Sequence, residues 1–361
     1  MSAPPLLQLL RALPGDVAPA ARALSASDWE RLPVDAERHG LSGLIVDALA
    51  RSTRPDGLAQ GERVGVPLSA ERALRAQARN AAAHAMKLHR LLLDTLALLE
   101  PRGLEPVLMK GWGFAARYWP DPLLRPASDV DLLVEPEALI GIERAMAKLG
   151  LTQLKDPGED DVFEHHHHIS FSGPAGLVEV HFRLLAGFGG AKLGDEAVFN
   201  RCRRATLEGH AVRYLAPEDE LVYLAAHAAQ HLFLRLGWLH DLKLVAAKER
   251  LDWDRAVALA KVSSLRAATH AGLLLAADAL GAEIPAKVLS ALAPTRLHRA
   301  AVRRAFTDEA LVSATLATGK SASALRALLS DDPVRAARHL AEGVVRKVKR
   351  RVRVTRRSSG P

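Results

Sequence analysis

Cysteine is nearly absent. Cys202 is the only one in 361 residues, which excludes a disulfide framework and any multi-cysteine zinc site. A lone cysteine of this kind reads as a small buried apolar side chain rather than a catalytic thiol. Long apolar runs are missing too: stretches such as Ala271 to Ala277 fall far short of the roughly 20 residues that span a bilayer. No basic, apolar and small-residue series opens the chain as a secretion signal, so the expected compartment is the cytosol. Glycine, at 25 residues, is too scarce for a collagen-like chain, and no internal repeat or low-complexity segment stands out. A content of 49% hydrophobic and 25% charged residues is that of an ordinary globular protein, long enough for one large domain or two modest ones.

The net charge of +8 is unevenly placed. From Arg338 to Pro361 there are nine basic residues and one acid, which leaves 40 of the 49 basic and 40 of the 41 acidic residues in the rest of the chain. The body is neutral and the tail carries the surplus. Such a tail attracts the phosphates of nucleic acid or anionic lipid without sequence preference, or serves as a solvated extension that keeps the chain soluble. No nucleic-acid recognition motif accompanies it in the body.

Periodicity divides the chain into four stretches. Residues 1–100 read as helical, with Leu6, Leu9 and Leu10 in one apolar stripe and Leu92, Leu93, Leu96 and Leu99 in another. Ser25 and Asp28 stand where a helix N-cap belongs, and the Pro- and Gly-rich segment 51–67 interrupts the helices. Residues 101–216 change character. Glu105 to Met109 and Val130 to Val134 read as short buried strands, Glu137 to Leu149 as a helix stopped by Gly150, and 163–171 and 177–185 as two strands joined by a turn. Residues 217–337 are Ala- and Leu-rich, with helices expected over 218–245, 253–261 and 265–280. The basic tail, 338–361, follows. The expected fold is α/β of the α+β kind: a small mixed sheet flanked by helical regions.

Ser128-Asp129-Val130-Asp131-Leu132-Leu133-Val134 is the most informative segment. On a strand Asp129 and Asp131 project from the same face, while Val130 and Leu132 point the other way. Two converging carboxylates repel unless a cation or hydrogen bonds offset the repulsion, so replacing either with Asn is expected to relieve it. Paired oxygens are what Mg²⁺ takes, leaving its other positions for water and phosphate. A bare D-x-D also serves as a strand cap. Lys110-Gly111 ends the preceding strand with a cation and a backbone able to approach phosphate. Glu179, His181 and Arg183 alternate onto one face of a later strand, where Glu179 reads as a third carboxylate or as the wet side of an edge strand.

Histidines supply the other candidates. His165 to His168 form a run read either as exposed strand residues or as substrate contacts or a transition-metal site, with one pair near Glu179 and His181 if the hairpin forms. His227 and His231 stand four apart, on one helix face. The glutamate of a zinc-protease motif is missing, so that chemistry is excluded. With His240 and Asp241 they read as a polar seam, touching an acceptor or merely hydrogen-bonded.

The ordered set Lys110-Gly111, Tyr118-Trp119-Pro120, Arg125, Asp129 to Val134 and Glu179-Val180-His181 resembles the uncharacterised nucleotidyltransferase family of bacterial biosynthetic clusters, within the DNA-polymerase-β-like nucleotidyltransferase superfamily. The resemblance extends from Asp28-Trp29 and His39-Gly40-Leu41 through Glu218-Asp219, His227, His231, Trp238-Leu239-His240-Asp241 and Leu251-Asp252-Trp253 to Ile284-Pro285. It implies transfer of a nucleoside monophosphate from an NTP to an acceptor with release of pyrophosphate. It implies two Mg²⁺ ions, or Mn²⁺ in their place, on Asp129, Asp131 and Glu179. Lys110, Gly111 and Arg125 map onto nucleotide and phosphate contacts, and His181, His227, His231 and Asp241 onto substrate contacts. The acceptor is open: a small molecule such as a sugar or antibiotic, a peptide, a protein or an RNA end. Where the superfamily usually has Gly-Ser, this chain has Lys110-Gly111. The alternative expectation is a catalytically idle module of the same fold that binds a nucleotide or a partner.

The tail generates the first testable outcome. Full-length chain should bind RNA or anionic vesicles with an affinity that falls steeply between roughly 50 and 200 mM salt, and deletion of 338–361 should remove that binding. With no aromatic residue between Arg346 and Arg357 to stack on bases, the contact is electrostatic. Equal binding by both forms in a salt titration would place the anion site in the body.

Overall fold

The structure, a computed structural model, describes residues 3–52, 65–154, 167–185, 193, 195–315 and 319–332. The basic tail and the start of the expected 163–171 strand lie outside the described residues. Five helices come first: α1 (Pro5–Ala12), α2 (Ala18–Arg22), α3 (Ala26–His39), α4 (Ser42–Ser52) and α5 (Leu68–Leu99). The cap read at Ser25 forms as a reciprocal pair. Its hydroxyl accepts from the Asp28 N–H while the Asp28 carboxylate accepts from the Ser25 N–H. Gly40 ends α3 at φ +69°, a left-handed conformation that costs a residue without Cβ nothing.

The sheet segment runs β1 (Val107–Leu108), α6 (Trp112–Tyr118), β2 (Val130–Leu133), α7 (Leu139–Lys148), β3 (Thr152–Gln153), β4 (His168–Gly173), β5 (Gly176–His181), α8 (Asp195–Arg201), β6 (Arg203–Leu207) and β7 (His210–Tyr214). Among the described residues the strands make one mixed sheet in the order β3-β4-β5-β2-β1-β7-β6. β2 runs parallel to β5 and antiparallel to β1, and β1 runs parallel to β7. The β6–β7 hairpin and β3 were not anticipated. β5 lies between β4 and β2, so Glu179 is not on an edge strand.

Alternation on β2 and β5 sorts side chains to two sides. Val130, Leu132, Val178 and Val180 pack in a cluster with Leu88, Leu92, Leu96 and Leu99 of α5 and Ile142 and Met146 of α7. Asp131, Leu133, Glu179 and His181 take the opposite face.

The C-terminal helices are α9 (Pro217–Gln230), α10 (Leu236–Lys248), α11 (Trp253–Val262), α12 (Arg266–Leu280), α13 (Ala286–Leu292), α14 (Arg296–Ala305), α15 (Asp308–Ser313) and α16 (Gly319–Leu328), of which α9 and α10 face that side of the sheet across a cavity. The helix expected over 218–245 is two helices. Leu232 and Phe233, both fully buried, adopt φ of +53° and +54° between them. Such values cost a side-chain-bearing residue free energy, which burial of the two side chains offsets. The terminal helices share one apolar cluster with α9–α12, and the Lys243 ammonium joins them by donating to the carbonyls of Leu10 (3.1 Å) and Leu280 (2.7 Å). No helix among the described residues is long and apolar enough to cross a membrane.

His270 on α12 is fully buried, and neither ring nitrogen has a hydrogen-bond partner among the described residues. Burial, helped by the neighbouring His298, pushes its pKa down to about 4. The unfolded chain therefore takes up this proton at a higher pH than the native one. Stability is complete above the usual histidine pKa and falls as pH drops from there towards 4. Replacing His270 with Leu should remove up to about 3 kcal/mol of this acid sensitivity. The check is chemical denaturation of both forms between pH 7 and 4; parallel stability curves would contradict the assignment.

Candidate active site

Strand register assembles the acidic centre. The parallel pairing of β2 with β5 sets Asp131 beside Glu179 and Leu133 beside His181. The antiparallel pairing of β4 with β5 then sets His168 opposite His181. Asp129 stands just before β2, and Lys110 just after β1. Gly111 follows at φ +70° and begins α6, turning the chain away from the site.

Charges are tightly matched here. Lys110 Nζ lies 3.0 Å from Asp131 Oδ1, and His181 Nε2 lies 3.0 Å from the same oxygen. His181 Nε2 is also 3.6 Å from Glu179 Oε2, and His168 Nε2 is 3.7 Å from Glu179 Oε1. Burial alone would raise the Asp131 pKa, but Lys110 and then His181 hold it well below the usual carboxylate range. Burial likewise disfavours the Lys110 ammonium, and Asp131 more than offsets this, so Lys110 stays charged. Asp129 lacks such partners at equal strength. Burial and the adjacent Asp131 charge push its pKa up to about 7. The repulsion expected between the two aspartates therefore falls on Asp129. The expectation that Asn at either position gives relief holds for Asp129 only; at Asp131 it would strip the partner from a buried ammonium.

The ten residues read as catalytic, phosphate-binding or substrate contacts line one cavity of about 450 Å³, while His240 and Arg183 do not. Lys110, Gly111, Asp129, Asp131, Glu179 and His181 form its floor, and His227, His231, Arg125 and Asp241 contribute to its walls. Two of these also meet each other. Arg125, read as a phosphate contact, and Asp241, read as a substrate contact or a hydrogen-bonded seam, line the cavity as an ion pair: Arg125 Nη2 donates to Asp241 Oδ2 at 2.8 Å, and Trp119 Nε1 donates to Oδ1 at 2.8 Å. Both are buried, and neutralising one another is what permits that. The run of histidines departs from the exposed reading, since His167 and His168 are half-buried and line the cavity; His165 and His166 lie outside the described residues.

The helix break builds the facing wall. His231 ends α9, and Trp238 on α10 packs edge-on against His227 at 5.1 Å and tilted against His231 at 5.3 Å between ring centroids. Burial drives the pKa of both histidines down, so these rings are uncharged, and Arg235 between them and Trp238 also lines the cavity. Tyr223, one turn before His227, is buried at the same cavity and was missed; its place four residues before His227 was the available signal. Behind the wall, Glu220 pairs with Arg117 and accepts from the Tyr118 hydroxyl at 3.1 Å, while Asp219 accepts from Arg201 Nε at 2.9 Å. These ion pairs tie α9 to α6 and α8. Cys202 lies outside the cavity, its thiol pushed up to about 11 by burial, as suits an unreactive side chain.

The floor suits a divalent cation. Asp131 Oδ2 is buried with no hydrogen-bond partner among the described residues. Asp131, Glu179 and His181 each bring a ligand atom to within 4.8 Å of the others, and Asp129 is close enough to feel the charges of both carboxylates. Oxygen donors of this number and hardness are those Mg²⁺ and Mn²⁺ take.

Known proteins place the chain as follows. The solution structure of the antibiotic-resistance factor ANT(2'')-Ia is similar at 17% identity and a TM-score of 0.36, covering 48% of this chain and 89% of that one. The crystal structure of ANT(2'')-Ia in complex with adenylyl-2''-tobramycin is similar at 16% identity and a TM-score of 0.35, covering 48% of this chain and 94% of that one. No curated protein matches the sequence. Residues 25–281, well over half of the chain and including every residue of the acidic floor, match the family described as uncharacterised nucleotidyltransferase, and the chain belongs to that family.

Proposed function

We propose that the chain transfers a nucleoside monophosphate from an NTP to a hydroxyl-bearing acceptor, releasing pyrophosphate, in the cavity above β2 and β5. The observation that carries this reading is the convergence of Asp129, Asp131 and Glu179 on one cavity floor, with the orphaned Asp131 Oδ2 among them. These three carboxylates would hold two Mg²⁺ ions, or Mn²⁺ in their place. Bound there, the ions supply charge neutralisation on the triphosphate and activation of the acceptor oxygen. The acceptor oxygen bonds to the α-phosphorus as the bond to the bridging oxygen breaks, and the hydroxyl proton passes to Glu179. Reactions of this type need positioning and charge compensation more than covalent help from the protein.

The chain's own groups meet that need. Lys110 balances Asp131 before substrate arrives, and as the cation nearest the carboxylates it is placed to face phosphate oxygens once Asp131 is otherwise engaged. His181 fixes the Asp131 and Glu179 carboxylates in orientation. Trp238, His227 and His231 give the acceptor side a neutral aromatic wall. The Arg125–Asp241 pair acts as a buried strut behind it. A second reading, nucleotide binding without transfer, draws on the Lys110 ammonium, which already occupies the charge-balancing place beside Asp131.

Incubation with each labelled NTP and Mg²⁺, scanning for transferred nucleotide, tests the proposal. Transfer is expected from the wild type and should be lost in Asp129→Asn, which should melt no lower than the wild type because its like-charge contact is removed. Asp131→Asn should lose both transfer and stability, the latter by about 3–5 kcal/mol from the unpaired buried ammonium. Unchanged transfer by Asp129→Asn would remove that residue from the site. Tight Mg²⁺-NTP binding with no transfer to any acceptor would favour the second reading.

Glu179 separates binding from chemistry. Serving the acceptor oxygen, it should matter more to turnover than to the donor, so Glu179→Gln should lower kcat by at least tenfold with little change in NTP affinity. Equal losses in both, measured by single-turnover kinetics and equilibrium titration, would assign Glu179 to the donor pocket instead.

A further inference from the structure

We propose that His167, His168 and His181, with Glu179 as a fourth ligand, form a site for a zinc-class transition-metal ion at the edge of the cavity. The three imidazoles each offer a ligand nitrogen within 4.8 Å of the others. Their placement is built into the hairpin. Strand register sets His168 directly across from His181, and the His167 carbonyl accepts from the Phe182 N–H at 3.0 Å, pinning its backbone beside them. Ring centroids are 4.4 Å apart for His167 and His168, 5.3 Å for His167 and His181, and 5.1 Å for His168 and His181.

Distances to the carboxylate fit the same ion. A tetrahedral site with bonds of about 2.1 Å keeps its ligand atoms about 3.4 Å apart. Here the Nε2 atoms of His168 and His181 lie 3.7 and 3.6 Å from Glu179 Oε1 and Oε2. His181 is buried, and its Nε2, held at 3.0 Å by Asp131 Oδ1, is the nitrogen that faces Glu179. Three imidazoles and one carboxylate make a donor set that Zn²⁺, Co²⁺ and Ni²⁺ prefer and Mg²⁺ does not. The site is therefore distinct in chemistry from the carboxylate floor, although it shares Glu179 and His181 with it.

Sharing has a consequence that rests on the proposed transferase function. A zinc-class ion held by the histidines takes Glu179 from the acceptor oxygen and His181 from Asp131, so the two states exclude each other. Micromolar Zn²⁺ should then stop transfer, and a chelator should restore it.

Cobalt binding tests the site without relying on activity. Full-length chain titrated with Co²⁺, in excess Mg²⁺ and without NTP, should bind one ion and show the intense visible bands of four-coordinate cobalt. His168→Ala and His167→Ala should each weaken binding at least tenfold and lose those bands. His165→Ala/His166→Ala and Asp129→Asn should leave both unchanged. Weak six-coordinate spectra from the wild type would overturn the proposal. So would binding that depends on His165 and His166, which would reflect the histidine run alone, or on Asp129, which would place the ion on the carboxylate floor. If cobalt binds as described but no NTP is ever transferred, the metal site stands and the transferase reading falls.

Discussion

A buried ammonium on a buried carboxylate organises this molecule. Lys110, just after β1, and Asp131, on the neighbouring antiparallel β2, meet at 3.0 Å on the sheet face that α9 and α10 oppose. Neither charge could remain there alone, since an unpaired ion in such surroundings costs several kcal/mol. Their pairing keeps Asp131 ionised, and His181 completes its coordination from β5. The ionised Asp131 in turn raises Asp129 and faces Glu179. One ion pair thus biases the neighbouring charges of the cavity floor, while His181 and His168 hold Glu179 below its usual range.

The opposite wall is mostly uncharged rings. Burial holds His227 and His231 uncharged, Trp238 packs against both, and Asp241 spends its charge on Arg125. On the proposed function, the ionic side would hold phosphate and the ring side would seat the acceptor. The strain at Leu232 and Phe233 has a place in this. Without the break there, His231 and Trp238 would continue along one helix and could not face each other across its end.

Parts of this were legible in the amino-acid order. The D-x-D pair, the single face of Glu179 and His181, and the cap at Ser25 are local patterns with a fixed period, and period survives folding. Register is not local. That Asp131 lies beside Glu179, rather than one residue off, follows from β2 pairing with β5 across about fifty residues of chain, which periodicity cannot supply. The Arg125–Asp241 pair is similar. Each residue alone looked available for a substrate, and only the fold joins them across a separation of 116 residues. Leu232-Phe233-Leu234 continued an apolar pattern, so nothing local announced left-handed backbone. The β6–β7 hairpin hid for the opposite reason. Its strands are five residues each with several arginines, and Glu208-Gly209, both at positive φ, was its one turn signal.

On the proposed function, the Lys110–Asp131 pair gives way to a cation-bound triphosphate. A crystal structure with Mn²⁺ and a non-hydrolysable NTP analogue, read by manganese anomalous scattering, shows whether it does. Manganese is expected against Asp129, Asp131 and Glu179, the triphosphate across them, and the Lys110 ammonium moved from Asp131 to a phosphate oxygen. Nucleotide bound elsewhere, with Lys110 still seated on Asp131 and no manganese at the three carboxylates, would contradict it.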